Sequence, residues 1–325
     1  MARRFPRGLN SRRAGSLDRS QLAAVGTEGL YILSLFADAA APAAGARFVD
    51  NPAPCADNRR AMITLLKEIA GRRELLLMLV QRNLKIRYKS SALGFLWSLL
   101  VPVFMILIYS IFLSVLKIPI DIRELVTGIM VWQFLALCLG DSLHAVVGNA
   151  NLVTKAAFPR IILPLGMVIS NLVNFLLSFL VLVLFLIVWG LLYGGSVGPV
   201  YWLPAVLLTQ VALCVGVSLI LAAANVFFRD TEHILSMLML AWFFLTPVIY
   251  PIGFVLDSPR FPYWVHTLFF CNPMTGIVTG FRVSLLGGGA PAAIHMALSA
   301  AAAWAILIAG VSIFQKAQPQ FGDEL

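Results

Sequence analysis

Charge is what this sequence has least of. Of its 325 residues only 12% are Asp, Glu, Lys or Arg, where a soluble domain carries about a quarter. The hydrophobic share is 60% and the mean hydropathy is +0.89. That balance excludes an ordinary soluble fold, and the chain reads as an integral membrane protein. Lysine never follows glycine, so the Gly-x-x-x-x-Gly-Lys-Ser/Thr loop that cradles nucleotide phosphates is missing. The chain is therefore not its own conventional P-loop ATPase. The four cysteines (Cys55, Cys138, Cys214, Cys271) form no disulfide framework, and only Cys271 falls near the oxidising side. The four histidines are scattered, without metal-ligand spacing. No Gly-x-Ser-x-Gly elbow is present. Acidic groups within apolar runs are sparse; Asp141 is the main one, with His144 one turn on. An ion relay needs several such groups along one path. Ion-coupled transport is thus disfavoured, and Asp141 reads as a polar contact at a helix end.

What the sequence has in quantity is apolar runs of membrane-spanning length, about 20 residues each. Six are expected to span: Gly94–Leu116, Leu125–Val147, Leu165–Trp189, Leu203–Val226, Ile234–Tyr250 and Ala292–Phe314. Trp97 marks an interface near the start of the first, and Pro102 is a candidate kink within it. Between the fifth and sixth, Pro251–Gly289 is too long for a turn and too apolar for a free loop. Four prolines forbid a straight helix across it. Tyr263–Phe270 and Met274–Leu286 are expected to form two short helices that enter the membrane and return, which is tolerated where protein or a cavity buries the backbone. The fold class is therefore all-α and membrane-embedded.

The stretch Asn149–Pro164 is a polar island between two long apolar runs. Lys155 and Arg160 cannot sit unpaired in hydrocarbon, where each would cost several kcal/mol. Asn151–Phe158 has room for about two helical turns before Pro159 stops it. Such a helix is either a contact for a soluble partner or a plain connection.

Ahead of the spans, residues 1–61 combine an arginine-rich start with Ala/Pro/Gly and polar sequence, expected to be disordered. A signal peptide is disfavoured: its apolar run, Leu30–Phe36, is short and abuts Glu28. Residues 62–91 read as an amphipathic interfacial helix, with Gly71 as an interruption. Its basic face attracts anionic lipid headgroups. Of the 24 Lys and Arg residues, twenty fall on one side of the expected topology and four on the other. By the positive-inside rule both termini are cytoplasmic. The formal charge of +9 is thus a matter of membrane topology rather than of a nucleic-acid partner.

Five stretches, in order, resemble the membrane subunits of ABC-type polysaccharide exporters. They are Arg87-Tyr88-Lys89-Ser90 followed by Leu93–Trp97 and Pro102; Asn149–Pro164; Asn225–Asp230; Trp242 with Thr246–Pro251; and Asn272-Pro273-Met274 with Phe281-Arg282. The ending Phe314…Phe321–Leu325 is similar too. The resemblance covers Met62 to Leu325 and leaves residues 1–61 without a counterpart. It implies a type-2 ABC permease in a bacterial inner membrane, paired with a second copy and with a separate P-loop ATPase that binds the ATP. No cofactor of its own is implied.

The substrate implied is a glycan on a lipid carrier. The loop Asn151, Leu152, Val153, Lys155, Phe158 and Arg160 would dock on the ATPase. Arg82, Lys85, Arg87, Tyr88 and Lys89 would meet lipid diphosphate, or simply anionic lipid. Asn272, Pro273, Phe281 and Arg282 would belong to an outer gate. Tyr109, Trp132, Trp242, Phe243 and Tyr250 offer flat aromatic faces along which a sugar chain would slide; lipid-facing packing is the plainer use of each. The rivals are a drug or lipid exporter of the same fold and a membrane-embedded enzyme of lipid-linked sugars. The latter would want clustered acidic or histidine residues, which are lacking.

Overall fold

The computed structural model describes residues 71–89, 91, 93–117, 120–155, 158–194, 198–256, 262–288 and 293–325. Among them every regular element is helical. The solvent dictates this: in hydrocarbon each backbone N–H and C=O needs a partner within the protein, and a helix supplies one from its own segment. In chain order the helices are α1 (Arg73–Tyr88), α2 (Trp97–Leu116), α3 (Ile122–Leu143), α4 (Ala150–Lys155), α5 (Ile162–Tyr193) and α6 (Leu203–Phe227). Then come α7 (Thr231–Leu245), α8 (Gly253–Leu256), α9 (Tyr263–Cys271), α10 (Pro273–Leu286), α11 (Ala293–Ala317) and α12 (Phe321–Glu324).

Five of these, α2, α3, α5, α6 and α11, are long and apolar enough to cross a membrane. They match five of the six expected spans, with shifted ends. The largest gain in length is in α5, which starts at Ile162 and runs 32 residues to Tyr193. The remaining expected span, Ile234–Tyr250, appears as the 15-residue α7. That is about 22 Å of helix against about 30 Å of hydrocarbon. Pro247 is the cause, because the residue before a proline is pushed out of helical backbone. Thr246 accordingly sits at φ −108°, ψ 140°. The two expected short helices are present as α9 and α10. The expected extension 1–61 and the first residues of the expected interfacial helix, 62–70, lie outside the described residues; α1 starts just past Gly71.

α3 is the central helix: 72% of its most apolar window is buried, against 11% for α2. It packs against α2, α5, α6 and α10. Val126, Val131, Leu135 and Leu139 on α3 are fully enclosed, together with Leu182, Leu213 and Val278 from its neighbours. Two buried polar side chains of α6 donate to carbonyls of α3: Gln210 to Val131 O at 2.7 Å and Asn225 to Leu143 O at 3.0 Å. α6 and α11 form the tightest pair. A Cβ on Gly310 would lie 2.2 Å from Gly216 O, so the two backbones touch there. Small residues permit such approach between membrane helices, where dispersion and close packing replace the hydrophobic effect.

Candidate functional site

One end of the bundle gathers the basic residues, the island and the ends of α3, α6, α7 and α11. α1 lies against the start of α5 at this end, with Leu79 buried on that side. Its polar residues reach across in a series. Arg82 donates to Asn149 Oδ1 at 2.9 Å, joining α1 to the start of the island. Arg87 forms an ion pair with Asp141. Asn171 Nδ2 also donates to that carboxylate at 2.8 Å, and Tyr88 OH donates to Asn174 Oδ1 at 2.9 Å. Asp141 is thus a polar contact at a helix end, as its position in the sequence implies.

This arrangement divides the expected phosphate-binding collar. Arg82, Arg87 and Tyr88 are turned inward onto protein partners. Lys85 and Lys89, one helical turn apart, are exposed. Removing Asp141 takes a shared acceptor from the Arg87 guanidinium and from Asn171 Nδ2. Asp141→Ala is therefore expected to destabilise the chain by about 1 kcal/mol, since both partners keep about a third of their surface exposed. A double-mutant cycle with Arg87→Ala, followed by thermal denaturation in detergent, should show that the two losses do not add.

The island helix α4 is described over Ala150–Lys155, within the expected Asn151–Phe158 but for its first residue; residues 156 and 157 of that expectation lie outside the described residues. Asn151 is exposed, Leu152 and Phe158 are half-buried, and Val153 is buried within its own chain. Lys155 is the last helical residue described. Arg160 is engaged with the carbonyl of Gln318. Among the described side chains of the island, Asn151 and parts of Leu152 and Phe158 face outward.

At the opposite end, Asn272 caps α10 by accepting from Met274 N at 3.1 Å. The same side chain accepts from Trp242 Nε1 at 2.8 Å and donates to Thr246 Oγ1 at 2.9 Å. Pro273 follows as the first helical residue, where its missing N–H costs nothing. Arg282 is buried and grips the turn after α7. It donates to Pro247 O at 2.7 Å, Val248 O at 2.7 Å, Tyr250 O at 2.9 Å and, on α3, Glu124 O at 3.0 Å. Phe281 is enclosed among Phe175 and Phe179, with ring centroids 6.1 and 6.0 Å away. Asn272 thus ties the start of α10 to the end of α7, and Arg282, further along α10, ties it to the turn after α7 and to α3.

Of the expected channel aromatics, Trp132, Trp242 and Phe243 come together. Trp132 meets Trp242 edge-on at 6.0 Å and Phe243 at 5.4 Å. Tyr109 stands apart on α2, half-buried, and Tyr250 donates its hydroxyl to Phe244 O at 3.2 Å. A cleft of about 480 Å³ runs between α3 and α7 from Trp132 and Phe243 to His144 and Glu232. Those last two face each other at 3.7 Å. Sequence reading missed the paired asparagines of α5, and it quoted Phe321 as part of the family-like ending without foreseeing its burial. The spacing of Asn171 and Asn174, three apart on one helical face of an apolar run, was the available signal for the first.

The fold and these contacts define a polytopic helical membrane protein with a polar loop helix at its basic end. The model of the ABC-2 type transporter family matches residues 74–286, and the chain belongs to that family. It is 35% identical over 269 residues to the O-antigen export system permease protein RfbA of Myxococcus xanthus, covering 81% of this chain and 100% of that one. A protein of the same description from Klebsiella pneumoniae is 32% identical over 255 residues, covering 78% of this chain and 95% of that one.

Proposed function

We propose that this chain is the permease subunit of a transporter that exports lipid-linked polysaccharide across a bacterial inner membrane. The observation that carries the reading is the similarity to O-antigen export permeases along nearly their whole length. Two copies, each with six crossings, would assemble with two copies of a separate P-loop ATPase. α7 would make the sixth crossing with help from the turn held by Arg282, and α9–α10 would be the re-entrant pair. Both termini would be cytoplasmic, which places α4 and the basic end on the ATPase side. The exposed apolar face of α2, including Phe104, Ile108 and Phe112, would meet lipid or the second copy. Lys85 and Lys89 are the collar cations left to meet the carrier diphosphate.

The Asn151–Phe158 stretch would dock in the ATPase, with Phe158 as its apolar anchor and Lys155 at an acidic rim. Truncating an interface anchor commonly costs more than about 2 kcal/mol, and a rim charge costs less. Phe158→Ala is expected to reduce co-purified ATPase and surface polysaccharide at matched permease levels. Lys155→Ala should weaken both mildly and in a salt-dependent way. Unchanged association and export with Phe158→Ala would overturn the docking assignment. Unchanged surface polysaccharide in cells lacking the chain would instead favour the drug or lipid exporter.

A further inference from the structure

α4 sits between two fixed points. Where the chain enters it, Asn149 accepts from Arg82 and donates to Ala145 O at 2.8 Å. Where the chain leaves it, Arg160 donates to the Gln318 carbonyl. Beyond Gln318 the backbone turns and Phe321 becomes fully buried. Its ring lies 6.0 Å from Phe227 at the end of α6 and 5.3 Å from Phe314 near the end of α11. α12, which Phe321 begins, touches both α4 and α6. A Cβ on Gly322 would lie 3.8 Å from the Arg160 guanidinium, so this segment lies against the loop exit. By sequence this ending is known only as similar to that of the exporter family. One fully buried phenylalanine anchors it.

The anchor's location matters more than its burial. Phe227 and Phe314 end the two helices whose backbones meet at Gly216 and Gly310. Close-packed interiors do not deform continuously; packed elements shift as units. We propose that Gln318–Leu325 is a brace that passes displacement of the α4 loop to the α6–α11 pair through Arg160 and Phe321. Arg160 is then a positioning residue facing its own chain rather than the ATPase. The inference rests on the reading of Asn151–Phe158 as the ATPase contact.

The test uses the full permease co-expressed with its ATPase, in four single variants and one double variant. Phe321→Ala should retain ATPase association while polysaccharide exported per ATP hydrolysed falls at least tenfold. Phe321→Leu, which keeps an apolar anchor, should restore at least half of it. Arg160→Gln removes the tie without opening a core cavity and should lower the same ratio several-fold; combined with Phe321→Ala it should add nothing. If Phe321→Ala fails to accumulate in the membrane, Arg160→Gln decides. A normal ratio with Arg160→Gln overturns the brace. Asn151→Trp, on the exposed face of α4, separates this outcome from failure of the docking reading. It should abolish ATPase association, and intact association would overturn that reading instead.

Discussion

Arg282→Met is expected to be among the most damaging single substitutions in this chain. The turn Pro247–Tyr250 leaves α7 without helical partners for its carbonyls, and three of them converge on one guanidinium. The fourth acceptor, Glu124 O, belongs to the first turn of α3. A buried carbonyl left without a donor costs about 1–3 kcal/mol. Stripping several acceptors from one buried cluster should cost about 3–5 kcal/mol, in the range of breaking a buried charged network. Arg282→Lys should recover only part of this, because one ammonium cannot reproduce a planar fork spread over α3 and the turn. Gly128→Ala attacks the same corner from outside: its Cβ would fall 2.3 Å from Val248 O and 2.7 Å from Arg282 Nη2. Arg123→Met is the control. Its partner Asp121 is two residues away and both are partly exposed, so the effect should stay within about 1 kcal/mol. Thermal midpoints of the detergent-purified variants, read beside surface polysaccharide, check the order. A methionine variant as stable as the parent would remove the clamp from the account.

Run length made most of the spans legible. About twenty apolar residues between polar stretches allow few other structures, and α2, α3, α5, α6 and α11 follow directly. α7 was overestimated because apolar composition continues through Val248 and Ile249, while the helix stops where Pro247 dictates. Arg282 shows a different limit. Its sequence position puts it in a short helix between the spans, as a gate residue by resemblance, and only the fold shows four carbonyls converging on it. The collar shows it again: four cations on one helix look equivalent until Asn149 and Asp141, from other segments, claim Arg82 and Arg87. The island was recognisable as a short helix by its flanking apolar runs and Pro159. That Val153 turns inward, and that Arg160 ties to residue 318, depend on contacts made by distant parts of the chain.

Gly310→Val should unfold or fail to assemble, for a reason no helix-propensity scale contains. In an isolated helix, replacing glycine usually helps, by up to about 1 kcal/mol for alanine. Here the added Cβ would lie 2.2 Å from Gly216 O and 2.9 Å from Gly216 Cα, and neither is a side chain that can swing away. On the facing helix, a Cβ at Gly216 would meet the backbone of Leu307 at 2.7 Å. The α6 and α11 axes would have to separate along their length, giving up the packing that holds them together without a hydrophobic driving force. Overpacking a core commonly costs about 1–3 kcal/mol even where side chains can adjust, and a backbone-to-backbone contact should exceed that range. Gly310→Ala should already lower the thermal midpoint, with valine worse. Gly190→Ala in α5 is the matched comparison: nothing lies within 4 Å of its added Cβ, so stability should hold or rise slightly. The measurement is the fraction of each variant recovered as a single species in detergent after a temperature series. Equal recovery of Gly310→Val and Gly190→Ala would mean that the two helices are not in backbone contact.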